Sequence, residues 1–65
     1  MNKQAIGNRL VNLRGEKSRA EVAEAVGVSI SALQMYENGE RIPRDEIKIR
    51  LAEYYNQTVG SIFYT

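Results

Sequence analysis

Residues 18–39, SRAEVAEAVGVSISALQMYENG, decide the fold. Ser18 followed three residues later by Glu21 forms a capping-box pattern, so a helix is predicted to start at Arg19. Val22, Ala23 and Val26 give that helix an apolar stripe. Gly27 then supplies a residue that takes positive φ without steric cost, which stops the helix. Ser29 caps a second helix, Ile30 to Glu37, which ends near Asn38-Gly39. Ala23 lies one turn before Gly27, and its small side chain lets the second helix cross closely over the first.

Two helices joined by a short Gly-containing turn form an arrangement whose second helix suits a DNA major groove. At about 100° per residue, Leu33, Tyr36 and Ser29 share one side of this helix, with Glu37 at the margin. Ile30, Ser31, Gln34, Met35 and Asn38 fall on the opposite arc, and none of them is charged. A surface helix ordinarily turns charge outward. Ser and Gln hydrogen-bond base edges, Gln pairs with adenine, and Ile and Met press on thymine methyls. No Arg or Lys lies on this arc, so an A/T-leaning half-site is expected. The alternative is that Ile30 and Met35 are core residues of a helix buried on both sides.

The composition sets bounds. The 65 residues suffice for one small domain, 1–65, near the lower limit for a self-sufficient core. With no Cys and no His, disulfides, thiolate metal sites and histidine catalysis are excluded. No catalytic residue, metal or cofactor is expected, and stability must come from helix packing, alone or with a partner subunit. No signal peptide or membrane-spanning run is legible, which points to a soluble cytoplasmic protein. A net charge of +1 does not by itself argue for nucleic acid. Placement matters more. Glu21, Glu24, Glu40, Asp45, Glu46 and Glu53 fall mostly in first turns or on outer faces. Lys17, Arg19, Arg41 and Arg44 flank the two-helix unit, either as a local positive field beside one groove or as scattered solvated charges.

Taken in order, residues 1–3 should fray. Ile6, Leu10 and Leu13 recur as one face of a first helix over Gln4 to Arg14, broken by Gly15. Arg14 suits the C-terminal dipole and lies within reach of Glu37. After Gly39 comes a loop. Pro43 fits the first turn of a fourth helix, Asp45 and Glu46 complement its dipole, and Ile47, Leu51 and Tyr54 form its buried face with Tyr55 at the edge. Ile49 points the other way, into a sandwich or toward another subunit. Asn56-Gln57 end this helix, and Thr58 caps a last short turn carrying Val59, Ile62 and Phe63. Five short helices without a strand make an all-α bundle.

The segments SRAEVAEAVGVS, SALQMYENGERIP and LAEYYNQTVGSIF resemble the lambda repressor and Cro type of helix-turn-helix, the XRE family of bacterial and phage regulators. The resemblance runs from Ile6 to Phe63. It implies that Ile30, Ser31 and Met35, with Gln34 and Ala32 beside them, read bases. It places Ser29 and Asn38 at phosphate-contacting positions and Arg41 and Arg44 in a loop whose basic residues approach the backbone or the minor groove, while Lys17, by its flanking charge, joins the phosphate-contacting set. Arg19 stands where most members carry a phosphate-binding Gln, and the same role with added charge is implied. Arg14 and Glu37 match a structural ion pair. The chain departs from the family in the short link between its first two helices, in Arg19 itself, and in Lys48, which stands where a core Leu is usual.

The leading reading is a sequence-specific transcriptional regulator, by default a repressor. It would bind double-stranded DNA as a homodimer on a near-palindromic operator with half-sites about one helical turn apart. Dimer contacts would come from Ile49, Val59, Ile62, Phe63 and Tyr64, although plain core closure also accounts for Ile62 and Phe63. No small-molecule ligand is implied, and the protein would work at the bacterial or phage nucleoid. The alternative is an antitoxin or immunity-type module whose apolar third-helix face binds a protein. An enzyme is disfavoured, because no nucleophile–base pair, metal-ligand cluster or phosphate loop is present.

Overall fold

Four of the five helices begin on a side-chain cap supplied by the sequence. A computed structural model describes all 65 residues. Its helices are α1 (Lys3–Arg14), α2 (Arg19–Val26), α3 (Ile30–Glu37), α4 (Asp45–Tyr54) and α5 (Val59–Phe63), with no strand. The side chains of Asn2, Ser18, Ser29 and Thr58 accept the N–H groups of Ala5, Glu21, Ala32 and Ser61, each at 3.0 Å. Each such cap contributes about 1 kcal/mol. Only half of the predicted capping box forms, since Glu21 gives its N–H but returns no side-chain bond to Ser18. Arg44 opens α4 without a side-chain bond, leaving Asp45 and Glu46 to meet the dipole.

Two boundaries differ from expectation. Lys3 is helical rather than frayed, because Asn2 caps the first turn. Pro43 lies outside α4, ahead of Arg44, where it is fully buried as a plug in the loop. At the critical turn, Gly27 takes φ 84° and ψ 35°, and its N–H donates to the Ala23 carbonyl at 2.8 Å. Asn56 adopts φ 57° to close α4, a conformation that Asn tolerates better than most residues.

One core joins all five helices: Ile6 and Leu10; Val22, Ala23 and Val26; Leu33 and Tyr36; Ile47, Leu51 and Ala52; Ile62 and Phe63. Ile62 is only 1% exposed, so its side chain has no surface to offer a second subunit, and its place among the dimer candidates is corrected to core. Phe63 is sealed likewise. Ile49 is exposed and so is not sandwiched, Tyr64 is also exposed, and Val59 is half-buried.

Lys48 is buried, and its ammonium finds partners. It donates to the Tyr64 hydroxyl at 2.8 Å and lies 3.5 Å from Asp45 and 4.9 Å from the centre of the Tyr64 ring. The bond to Tyr64, helped by Asp45 and opposed by burial, raises its affinity for the proton. Arg9 holds the same tail from α1, donating to the carbonyls of Ile62 at 2.6 Å and Thr65 at 2.9 Å. No helix is long and apolar enough to cross a membrane.

Gly7 is the close-approach point that brings α3 onto α1. A β-carbon there would strike the Glu37 carbonyl oxygen and come within 2.9 Å of that of Tyr36. Both are backbone atoms, so relief requires the helices to separate. Gly7→Ala is therefore expected to cost about 1–3 kcal/mol, despite the better helix propensity of Ala. Chemical denaturation checks it, and a stabilised variant would show that the two helices part easily.

Candidate nucleic-acid interface

The interface is defined by what α3 has left over after packing. Leu33, Tyr36 and Glu37 are buried. Ile30 is 51% exposed, Ser31, Gln34 and Asn38 are exposed, and Met35 is half-buried. The reading of Ile30 as a core residue is thereby removed. Ser29, placed by the helical wheel on the inward side, is also exposed, because as the N-cap it lies outside the helical register.

A single carboxylate sets the orientation of α3. Glu37, whose side chain is 0% exposed, receives Arg14 Nε on one oxygen and Arg19 Nε on the other, both at 2.8 Å. Arg14 also donates to the Lys17 carbonyl at 2.7 Å, which fixes the short α1–α2 link. That link is compatible with the ion pair because the guanidinium spans it. Arg19 is not devoted to phosphate alone. Its Nε is committed to Glu37, and the side chain is held at 35% exposure. Its terminal nitrogens make no bond within the chain, so an outward edge remains to meet an anion. Two guanidinium groups on one carboxylate leave one positive charge at this locus. Beside it the Tyr55 hydroxyl is buried, and no group of the chain bonds it. Burial first, then the charge of Glu37 and the Tyr54 phenol, push it up to about 12 against the opposing effect of Arg14.

Next to the start of α3 lies a groove of about 440 Å³, lined by Ser29, Arg41, Arg44 and Arg50 among others. Three guanidinium groups, a hydroxyl and the positive end of a helix thus converge on one open site, a combination suited to phosphate oxygens. Arg44 is loosely paired with Glu46 at 3.5 Å, both well exposed, and such a contact contributes little. Arg50 was not anticipated. Its guanidinium lies 3.5 Å from the Val26 carbonyl and 3.9 Å from Glu46. The available signal was its spacing three residues after Ile47, which puts it on the face of α4 that meets α2.

The remaining residues divide. Ser31, Gln34 and Met35 line a second recess together with Glu40. Asn38 donates to Glu40 at 3.3 Å. Lys17 stands apart from both recesses, with its ammonium 5.6 Å from the centre of the Tyr54 ring. No group of three His, Cys, Asp or Glu residues is placed to hold a metal ion.

Comparison with known proteins adds one finding. The sequence model of a family described as helix-turn-helix matches residues 11–61, the greater part of the chain. No curated protein and no solved structure matches it.

Removing the shared carboxylate should be costly. Glu37→Ala leaves two guanidinium groups facing each other, and a loss of about 3 kcal/mol is expected, with a melting temperature lower by roughly 10 °C or more. A change under about 0.5 kcal/mol would show that the pair carries no structural weight. Tyr55 sets an alkaline limit. Its phenol holds the proton more tightly folded than unfolded, so stability should be intact below pH 10 and fall as pH approaches about 12. Tyr55→Phe should remove that component of the fall and leave stability at neutral pH unchanged or slightly higher. Chemical unfolding across this pH range tests both.

Proposed function

The chain belongs to the Cro/C1-type helix-turn-helix family of DNA-binding transcriptional regulators, and from that premise we propose that it is a repressor. It binds a near-palindromic operator as a homodimer with α3 in the major groove. One observation carries the reading: α3 keeps an uncharged arc exposed at Ile30, Ser31, Gln34 and Asn38, and an arginine-lined groove opens beside its N-terminal end. In this arrangement Ile30, Ser31, Gln34 and Met35 meet base edges. Ser29, Asn38, Arg41 and Arg44, with Arg50 and the outer edge of Arg19, grip phosphates, and Lys17 adds charge at the margin.

One unit this small makes few base contacts, so a second copy is needed for useful specificity. Ile49 and Tyr64, with part of Val59, supply the exposed apolar surface for it. The 65 residues act as one DNA-binding unit, with occupancy set by protein concentration, competing proteins or a separate partner.

Titration of duplex binding against salt tests the reading. Affinity should fall linearly on a log–log scale, and Arg44→Ala or Arg50→Ala should weaken binding to all sequences alike and reduce the slope by about 1. Gln34→Ala should cost about 1–3 kcal/mol on the preferred site and little on random duplex. Salt-insensitive or absent binding would reject the proposal and recast the arc of α3 as a protein-docking face.

A further inference from the structure

Glu40 lies in the loop just after α3 and shares a recess of about 240 Å³ with Ser31, Gln34 and Met35. Its backbone is pinned there, the N–H donating to the Met35 carbonyl at 2.9 Å. Its carboxylate is held by Asn38, whose amide donates to one oxygen at 3.3 Å. No lysine or arginine pairs with it, although Arg41 follows it directly in the chain. The Asn38 amide is neutral and meets one oxygen, so the anion stays un-neutralised, and on a surface that faces a polyanion it is unfavourable unless a further donor meets it. In the major groove the donors are the exocyclic amino groups of cytosine and adenine. Adenine presents an acceptor nitrogen next to its amino group, which repels the second carboxylate oxygen. Cytosine presents none. Guanine and thymine turn acceptors toward the same position.

We propose that Glu40 is a specificity-determining residue of this surface. Its carboxylate selects the amino group of cytosine at a position adjoining those that Gln34 and Met35 face. It also excludes base pairs that present acceptors there. The inference rests on the DNA-reading role of α3 and sharpens it: a half-site that is otherwise A/T-leaning carries one obligatory C. The acid weakens non-specific binding at the same time, because it repels phosphate wherever no amino group meets it.

Selection of bound sequences from a random duplex pool, with the full chain and with its Glu40→Gln, Glu40→Ala and Gln34→Ala variants, tests this. The unaltered protein should enrich cytosine at one such position in each half-site, by roughly tenfold or more over other bases. Glu40→Gln and Glu40→Ala should lose that enrichment, keep the neighbouring preferences and bind random duplex more tightly. Because Glu40 is exposed, both should melt at the temperature of the unaltered protein. If Gln34→Ala relaxes the site but the Glu40 variants select unchanged sequences, the role given to Glu40 is overturned while α3 keeps its own. If no sequence is enriched by the unaltered protein, both fall together.

Discussion

The fold and its outward face depend on one carboxylate held by two guanidinium groups. Glu37 sits near the end of α3 with both oxygens occupied, one by the last residue of α1 and the other by the first residue of α2. Apolar packing alone is non-directional. It would bury Leu33 and Tyr36 while leaving α3 some freedom to slide or rotate. Two charge-assisted bonds from different helices remove that freedom, because each has a narrow range of acceptable geometry. Gly7 acts in the same direction, since the closeness it allows between α1 and α3 leaves little space for alternative placements.

With the inner side of α3 fully occupied, its outer side is free to be specialised. The protein keeps charge off that arc and concentrates it beside the helix start, where Arg41, Arg44 and Arg50 surround Ser29. A total of +1 is then no obstacle to recognising a polyanion. Exposed charges act over about 10 Å at moderate salt, so a local cluster counts for more than the sum. Glu21, Asp45 and Glu46 serve helix starts, and Glu37 is buried between two arginines. Glu16, Glu24, Glu40 and Glu53 do neither, and of these four Glu40 alone shares a recess with Ser31, Gln34 and Met35, which is why its position carries information.

The far end of the molecule follows a different logic. Lys48 from α4 and Arg9 from α1 both bond the C-terminal residues, so beyond the buried Ile62 and Phe63 the exposed Tyr64 and Thr65 are fastened by polar contacts. Lysine at a core position is tolerated because its ammonium reaches the Tyr64 hydroxyl at the edge of the core while its stem stays inside. The same bond holds the exposed ring of Tyr64 against α4, the helix that carries Ile49.

Much of this was legible in the order of residues. Caps at Ser18, Ser29 and Thr58, the glycine stop at position 27 and the apolar spacing located the helices, because those signals act over one turn of chain. The exposure of Ile30 and Gln34 follows from helical periodicity, which turns Leu33 and Tyr36 to the opposite side. Tertiary structure alone decided the partners of long side chains. Arg19 turned out to bind Glu37 because α2 starts beside the end of α3. Arg50 joined the basic groove because α4 crosses behind the turn. Ile62 was drawn into the core, and Gly7 became the crossing point. Short-range signals are written in neighbouring residues, whereas flexible arms and close contacts depend on where distant segments are brought together, which no local spacing encodes.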